Sequence, residues 1–399
     1  MMLRSQAKRR LIEAGGDSAA RGALAPRRVL VVAPSLDILG GQAVQAARLL
    51  ARLRGEPSLE VSFLPINPRL PGLFRKLQAI KYVRTVVTSL LYFATLLARV
   101  GKYDVLHIFS ASYFSFILAP TPAMLVAKLY GKRIVLNYHS GEAEDHLARW
   151  PSAVRTLRLA DEIVVPSDYL VEVFARFKLR ARPIFNLIET AHFHFRARRP
   201  LRPVFLANRN FEPHYNVGCV LRAFALIQQR VPDARLLVAG DGSQRDELKQ
   251  LAQALGLRNT EFLGRVAPEK IPELYDATDI YLNGSEIDNQ PLSLLEAFAC
   301  GLPVVTTNAG GIPYIVTHEQ TGLLVACGDH EAMAAAALRL LQDDVLAAQL
   351  ASAARVECGR YGWGAVRAAW LDLYHEPART EVLRRDEPVT GGGVPVSER

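Results

Sequence analysis

The chain has 399 residues, half of them hydrophobic and 22% charged, which suits two folded domains of roughly 150–200 residues and excludes a largely disordered protein. Its net charge of +9 is unevenly placed: residues 1–200 carry 30 Lys/Arg against 14 Asp/Glu (net +16), and residues 201–399 carry 18 against 25 (net −7). The basic half predicts an anionic partner, with nucleic acid, an anionic membrane surface and a phosphorylated acceptor as the candidates.

The first elements predict a parallel sheet. Residues 1–27 are rich in Arg and Ala without an apolar h-region, so we expect a disordered basic arm and no secretory signal. Residues 28–33 are a continuous apolar run, which predicts a strand buried on both faces. A loop with Gly40 and Gly41 follows, and then a helical pattern from Gln42. Further strands are predicted at residues 61–64, 105–108, 133–137 and 162–165.

One segment has the composition of a membrane anchor. Residues 83–100 are apolar apart from Arg84 and Arg99, and the uncharged stretch between those arginines has 14 residues. A transmembrane helix needs about 20 residues. We therefore predict a buried core helix. A membrane-facing helix is the alternative, favoured by the preceding basic residues Arg75, Lys76 and Lys81.

The alternation of strands and helices restarts in the second half. The basic stretch of residues 196–203 separates the halves and predicts an interdomain linker. Strands are predicted at residues 204–207, 235–239, 261–263, 280–282, 304–306 and 322–325, and helices at residues 217–230, 244–255, 271–276, 291–300 and 330–341. The pattern predicts two Rossmann-like doubly wound α/β domains facing across a cleft, at residues 28–199 and 200–360. A Gly/Pro-rich tail at residues 377–399 is expected to be disordered.

Four cysteines add no further chemistry. They show no metal-ligand spacing and predict small buried residues in a reducing compartment: Cys219, Cys300, Cys327 and Cys358.

Residues 283–302 carry the most chemistry. A strand ends there in a polar loop, and Pro291 is expected at the first position of a helix that ends at Gly301. The amides at the start of this helix predict an anion site. Asp288 lies in the loop, and Glu296 lies eight residues later in an otherwise apolar helix. A phosphate on the amides, with sugar hydroxyls on the two carboxylates, would use both features, whereas a simple helix cap explains only Asp288.

This segment resembles the donor-binding signature of retaining glycosyltransferases with the GT-B fold, especially glycosyltransferase family 4. Two acidic residues separated by seven others precede the AFACGLPVV run, although Asp288 stands where the family usually has Glu. The resemblance implies that Glu296 holds the nucleotide ribose and that Asp288 contacts the transferred sugar. It covers roughly residues 28–375, and a helix at residues 361–376 is expected to pack back on the N-terminal domain.

Other segments resemble the same family. Gly240 and Asp241 match the family's Gly-Asp-Gly loop, and Arg265 and Val266 match the strand and loop that read the base. Gly40 and Gly41 match its N-terminal glycine-rich loop. His139 matches the strand-end His that contacts the transferred sugar. The predicted ligand-binding set is Gly40, Gly41, His139, Gly240, Asp241, Arg265, Val266, Asn289, Gln290, Pro291, Leu292 and Ser293.

One position departs from the resemblance. The family usually has Arg and then Lys about five residues later, both on the diphosphate. Arg209 is present, but His214 or Tyr215 stands at the Lys position. Helix-terminus amides or another cation, such as Lys270, would have to replace that charge, or donor binding is weaker.

We therefore expect a metal-independent, retaining hexosyltransferase-type enzyme. It would move a sugar from a UDP- or GDP-linked donor to a polysaccharide, lipid-linked or other glycan acceptor. Arg209, Asp288, Glu296 and His139 are the predicted catalytic set, and neither a resident cofactor nor a nucleic-acid partner is expected. We expect a cytoplasmic protein, with peripheral contact at the inner, anionic membrane face as an additional possibility.

Two alternatives remain open. A non-catalytic binding protein that kept the fold would explain the missing Lys. An NAD-dependent oxidoreductase has only the Gly240–Gly242 loop in its favour, and that loop lacks the third glycine of a dinucleotide fingerprint.

Overall fold

The computed structural model describes residues 25–36, 41–69 and 80–377. Most of the expected basic arm, Gly40 and nearly all of the expected C-terminal tail lie outside these residues, and so do Arg75 and Lys76.

Two six-stranded parallel sheets form the framework. The first has the order β2-β1-β3-β4-β5-β6 and the second β12-β11-β10-β7-β8-β9. The strands of the first sheet are β1 (Arg27–Ala33), β2 (Leu59–Pro65), β3 (Val105–Ser110), β4 (Arg133–Tyr138), β5 (Glu162–Val165) and β6 (Arg182–Pro183). Those of the second are β7 (Val204–Asn208), β8 (Arg235–Ala239), β9 (Thr260–Gly264), β10 (Ile280–Asn283), β11 (Val304–Thr307) and β12 (Leu323–Val325).

Fourteen α-helices connect the strands in the described part of the chain. They are α1 (Gly41–Leu53), α2 (Lys81–Arg99), α3 (Tyr113–Leu118), α4 (Pro120–Leu129), α5 (Ala143–Arg149), α6 (Pro151–Leu157), α7 (Asp168–Arg176), α8 (Val217–Arg230), α9 (Arg245–Ala254), α10 (Ile271–Ala277), α11 (Leu292–Cys300), α12 (His330–Gln342), α13 (Asp344–Cys358) and α14 (Trp363–His375).

The predicted fold class is confirmed, since both sheets are wholly parallel and have core clusters on both faces. All eleven predicted strands are present, and only the two-residue strand β6 was not predicted. The strand order reverses beside β1 in the first sheet and between β10 and β7 in the second. Ligands of such sheets bind at these reversal points, beyond the carboxyl ends of the strands.

The prediction that helix α2 is a buried core helix was wrong, because only one of its faces is buried. Its inner face buries Tyr92 and Leu96 against the first core, and Val100 follows. Val86, Leu90 and other large apolar side chains of the same helix are exposed to solvent. The prediction rested on the apolar composition of residues 83–100, and composition does not show which other parts of the chain cover a helix. The helix is also the one described helix with the length and composition of a membrane span.

The chain crosses between the domains ahead of the predicted linker at residues 196–203, and Arg196 and Arg198 of that segment are bound to the second domain. Leu187 belongs to the core of the first domain, and Ile188 belongs to the core of the second. Arg198 is buried, and its guanidinium donates to the carbonyls of Thr278 and Cys300. Burial is the main cause that lowers the pKa of Arg198 to about 10.

Helix α14 returns to the first domain. Val366, Trp370 and Leu373 pack with strands β1 and β3, and Arg367 makes a two-pronged ion pair with Glu56 at 2.7 and 2.6 Å. The His107 Nδ1 atom lies 2.7 Å from the Tyr374 hydroxyl. The C-terminal helix therefore completes the core of the N-terminal sheet.

Candidate active site

The cleft between the sheets holds two adjoining cavities. The first cavity, about 600 Å³, is lined among others by His139, Glu142, Asp288, Asn289, Gln290 and Pro291. The second cavity, about 400 Å³, is lined among others by Arg48, Gly240, Asp241, Arg265, Val266, Ser293 and Glu296. Gly41, Arg209, Tyr215 and Leu292 line both, so the two form one cleft of a size suited to a small ligand. All predicted site residues that the structure describes therefore line this cleft.

Helix α11 begins at the centre of the cleft. Pro291 is its N-cap in extended conformation (φ −67°, ψ 117°), and Leu292 is the first helical residue. The expectation that Pro291 occupies the first helical position was wrong by one residue, because its ψ lies outside the helical range. The first-turn amides of Leu292 and Ser293 have no carbonyl partner within the helix, and both residues line the second cavity. This helix end is suited to bind an anion.

Arg209 and Asp288 form an ion pair in the cleft. Arg209 directly follows β7, and Asp288 lies in the loop after β10, so the order reversal of the sheet brings them together. The Arg209 guanidinium lies 4.0 Å above the ring of Tyr215, and its Nη1 lies 3.4 Å from Ser293 Oγ. Burial alone would lower the pKa of Arg209, but the charge of Asp288 together with smaller contributions from nearby tyrosines, Tyr215 foremost, holds the pKa above its usual value.

Glu296 is buried one turn inside helix α11. Its Oε1 lies 3.1 Å from Nη2 of Arg48, which belongs to helix α1 of the other domain. Its Oε2 lies 3.2 Å from the Tyr275 hydroxyl. Burial raises the pKa of Glu296, and the charge of Arg48 opposes that rise only in part. The carboxylate thus forms a direct ion pair across the cleft.

The loop residues Asn289 and Gln290 link the two domains. Ser167 donates to the Asn289 side-chain oxygen, and the Asn186 amide donates to Gln290 Oε1 at 2.7 Å. The side-chain NH₂ groups of both residues are buried without a hydrogen-bond partner in the described structure. Two other cleft-lining residues also have an unpaired buried nitrogen, His139 Nε2 and Arg209 Nε. Unpaired buried donors are costly, so their concentration here indicates a polar ligand.

Glycines allow two loops to approach closely. A Cβ on Gly240 (φ +151°) would lie 2.1 Å from the Arg209 carbonyl oxygen, and a Cβ on Gly311 would lie 2.0 Å from the Asn289 carbonyl oxygen. The Gly311 amide also donates to the Asp288 carbonyl at 3.0 Å. The sequence Gly-Gly-Ile-Pro therefore fixes the backbone that presents Asp288.

The Gly-Asp-Gly loop lines the far end of the second cavity. Asp241 accepts from the Gly242 amide at 3.0 Å, and its carboxylate lies 3.8 Å from the Arg265 guanidinium. Arg265 is mostly exposed, and Val266 lies beside it in the loop after β9.

His139 follows β4 at the wall of the first cavity. Its ring stacks on Phe109 with centroids 5.0 Å apart, and Phe109 stacks in turn on His107 at the same separation. Burial lowers the pKa of His139 to about 3, so the imidazole is neutral at physiological pH. It can exchange hydrogen bonds with a ligand hydroxyl but carries no positive charge.

Sequence reasoning missed the contribution of helix α1. Arg48 reaches Glu296, and the Gln45 amide group pairs with Leu187 through two hydrogen bonds of 2.9 Å. Their position could have indicated this role: Gln45 and Arg48 lie one to two turns after the glycine-rich loop, on the side of the helix that carries its apolar residues. Lys270, named as a replacement cation, is instead 65% exposed, pairs with Glu273 at 2.7 Å and lines neither cavity.

The cysteines contribute to none of the site contacts described above. Three are buried, as expected, but Cys327 is exposed, which corrects the prediction for that residue. Among the described residues, no three His, Cys, Asp or Glu side chains cluster in a way that could hold a metal ion.

Comparisons with known families match both halves of the chain. Residues 28–192 match the model described as Glycosyltransferase Family 4, and residues 191–357 match the model described as Glycosyl transferases group 1. The two matches meet at the crossing between the domains.

Curated relatives and solved structures agree with these matches. A glycogen synthase of Mycobacterium tuberculosis is 29% identical over 68% of this chain and 69% of its own length. The N-acetyl-alpha-D-glucosaminyl L-malate synthase of Bacillus anthracis is 38% identical over 45% of each chain. The crystal structure of Anabaena Alr3699/HepE with UDP and glucose matches with a TM-score of 0.68 and 18% identity, over 87% of this chain and 99% of that one.

Proposed function

The chain is a family 4-like glycosyltransferase with the GT-B fold, and on that premise we propose that it transfers a sugar from a nucleoside-diphosphate donor with retention of configuration. The observation that carries the proposal is the convergence of Arg209, Glu296 and the free first-turn amides of helix α11 on one cleft. Arg209 is suited to bind a phosphate, Glu296 a ribose, and the amides an anion.

The diphosphate would lie between Arg209 and the start of helix α11. The Arg209 guanidinium and the amides of Leu292 and Ser293 stabilise the charge that develops as the diphosphate leaves. Because Asp288 is paired with Arg209, the donor has to displace it. Released from Arg209, Asp288 is free to accept a hydrogen bond from a hydroxyl of the transferred sugar.

Arg48 is our candidate for the cation that replaces the missing Lys. It lines the second cavity, and its guanidinium lies beside the Glu296 carboxylate on the side of the cleft opposite Arg209. A ribose whose hydroxyls donate hydrogen bonds to Glu296 loosens this pair and frees an Arg48 N–H for the diphosphate. Tyr215, one of the two candidates for the Lys position, contributes by stacking under Arg209.

The transfer step needs no enzymic nucleophile in this proposal. The acceptor hydroxyl attacks the anomeric carbon on the face from which the diphosphate departs. The carbon–oxygen bond to the diphosphate breaks, the glycosidic bond forms, and the hydroxyl proton passes to a leaving phosphate oxygen. The protein contributes orientation and charge stabilisation. Neutral His139 orients the sugar from the wall of the first cavity.

The acceptor is proposed to be a polysaccharide, a lipid-linked glycan or another glycan, used at the cytoplasmic face of a membrane. The first cavity extends past the donor groups to Tyr113, Phe114 and Glu142, which leaves room for a second substrate. Aromatic and carboxylate groups of this kind suit stacking on, and hydrogen bonding to, a sugar ring.

Calorimetric titration with UDP, GDP and NAD, followed by a hydrolysis screen of nucleotide sugars, tests the function. We expect one nucleoside diphosphate to bind and its sugar derivative to be hydrolysed slowly, with the rate unchanged by EDTA. Glu296→Gln should weaken donor binding about tenfold or more, because a charge-assisted hydrogen bond contributes about 1.5–3 kcal/mol. Arg48→Gln should weaken binding of the nucleoside diphosphate but not of the monophosphate.

Matched controls are available on the same elements or near them. Glu273→Gln alters an exposed carboxylate, and Arg52→Gln alters the next arginine on helix α1. Binding of NAD alone would contradict the transferase. Nucleotide binding without hydrolysis or transfer anywhere in the panel would favour the non-catalytic binding protein. Activity lost with EDTA and restored by manganese would contradict the metal-independent mechanism.

A further inference from the structure

Helix α2 presents an apolar stripe to solvent. Its exposed large side chains recur at spacings of three and four residues, which places them on one face of the helix. They are Val83, Val86, Leu90, Phe93 and Leu97. Val86 and Leu90 are 59% and 65% exposed, so the stripe is not covered by any part of the chain that the structure describes.

The stripe continues onto two neighbouring helices. The Tyr92 hydroxyl donates to the Ala119 carbonyl at the α3–α4 junction, and the Tyr130 hydroxyl donates to the Leu97 carbonyl. The exposed apolar side chains of these neighbours are Phe114, Ile117, Leu118, Leu125, Leu129 and Tyr130. Twelve of the eighteen exposed large hydrophobic residues in the described structure lie between Ile80 and Tyr130. We call this set the apolar surface; a concentration of this kind marks an interaction site.

The segment that carries the apolar surface is almost free of acidic residues, although one of its cations, Lys128, pairs with Asp161 at 3.6 Å. Residues 80–132 contain six Lys/Arg and one acidic residue, Asp104, which pairs with Arg28 at 2.9 Å. Helices α2, α3 and α4 contain no carboxylate at all. An apolar face bordered by cations fits an anionic lipid surface, where cations meet headgroups and apolar side chains meet acyl chains.

The geometry favours a helix that lies on a bilayer over one that spans it. The uncharged stretch between Arg84 and Arg99 has 14 residues, or about 21 Å of helix, against a hydrocarbon core of about 30 Å. The inner face of the helix is also attached to the first domain through Tyr92 and Leu96.

We propose that the apolar surface docks this enzyme on a bilayer that contains anionic phospholipids. Phe114 belongs both to this surface and to the lining of the first cavity, so docking brings the acceptor end of the cleft to the membrane. An acceptor anchored in the bilayer could then enter without leaving the lipid. The choice of acceptor rests on the proposed function, whereas docking itself does not.

Sedimentation with vesicles tests the docking. We expect the full chain to bind vesicles of phosphatidylcholine with about one third phosphatidylglycerol, to bind pure phosphatidylcholine more weakly, and to lose affinity at high salt. Leu90→Ser/Phe93→Ser should reduce binding to the anionic vesicles tenfold or more. Val345→Ser/Val356→Ser removes two exposed apolar side chains from helix α13 of the other domain and should leave binding unchanged.

Nucleotide affinity, measured on the same samples, distinguishes a failure of the docking proposal from a failure of the proposed function. Unchanged affinity in the surface variant shows that it is folded and that docking and donor binding are independent. Vesicle binding that survives the surface substitution would overturn the proposal. So would a wild-type dimer that binds no vesicles and dissociates in the variant, because the occupant would then be a second copy. Vesicle binding without nucleotide binding would overturn the proposed function and leave the docking standing.

Discussion

At the scale of single residues, Arg209 is the group for which the donor diphosphate and the Asp288 carboxylate compete. Asp288 pairs with its guanidinium, Tyr215 stacks under it, and Ser293 lies at hydrogen-bond distance. A buried guanidinium without a counter-charge would be costly, so Asp288 stabilises the folded protein by pairing with it. The same contact is an obstacle to binding, because a diphosphate has to replace one anion with another.

Asp288→Asn separates these two effects. The substitution keeps the side-chain shape but removes the competing charge, so the free nucleoside diphosphate should bind threefold or more tightly. Sugar transfer should fall, because the carboxylate that accepts a hydrogen bond from a sugar hydroxyl is replaced by an amide oxygen, which is a weaker acceptor. Calorimetry and initial rates measure the two changes separately. Glu286→Gln, an exposed acid in the same loop, serves as the control. A weaker affinity for the diphosphate would show that Asp288 does not compete with the ligand.

The sequence indicated the identities of these residues better than their pairing. Asp288 was predicted from its place in the loop after a strand and Arg209 from the family resemblance, but the contact between them depends on the strand order. Only the structure shows that β7 and β10 are neighbours. The Arg48–Glu296 pair is a similar case, because it joins the two domains and no local pattern predicts how they face each other.

At the scale of elements, the loop from Ser285 to Gln290 owes its shape to a second loop pressed against it. Gly310 and Gly311 approach the Asp288 and Asn289 carbonyls so closely that no side chain fits between them. Strands and helices were predictable because their apolar periodicity is local. The contact between these loops, and the uncovered face of helix α2, were not, since both depend on what the rest of the chain leaves nearby.

Gly311→Ala should therefore disable the cleft without unfolding the protein. The new methyl group would lie 2.0 Å from the Asn289 carbonyl oxygen, so the donor loop has to shift. We expect donor affinity to fall at least tenfold, as measured by calorimetry. Gly364→Ala is the matched control, since its methyl group meets no atom within 4 Å and it lies in helix α14. Equal donor affinity in the two variants would contradict this account of the loop.

At the scale of the whole molecule, a column of aromatic rings joins the C-terminal helix to the cleft. Trp370 stacks on His107 with centroids 5.1 Å apart, and Phe109 and His139 continue the column. His107 is completely buried, and burial lowers its pKa to about 3. The folded protein thus holds this imidazole neutral in the middle of its first core.

Neutral His107 makes stability depend on pH. The unfolded chain takes up a proton at this residue below a pH of about 6.5, whereas the folded chain does not, so stability falls as the pH decreases. Between pH 7.5 and 5.5 the loss from this residue is about 1.4 kcal/mol. Urea unfolding at the two pH values measures it. His107→Gln should reduce the loss, and His375→Gln, at an exposed site, should not. An identical pH dependence in the wild type and in His107→Gln would refute this assignment.

The chain passes between its two lobes twice, near Leu187–Ile188 and again between Tyr361 and Trp363. These two crossings lie side by side, because the Ile188 amide donates to the Tyr361 carbonyl at 2.9 Å. The lobes are thus joined at one paired hinge, which restricts sliding and twisting more than a single connection would, so the cleft should open mainly by rotation about this hinge. Closure on a ligand would then bring Arg48 towards the diphosphate along the same path each time, with little entropy lost in finding the register.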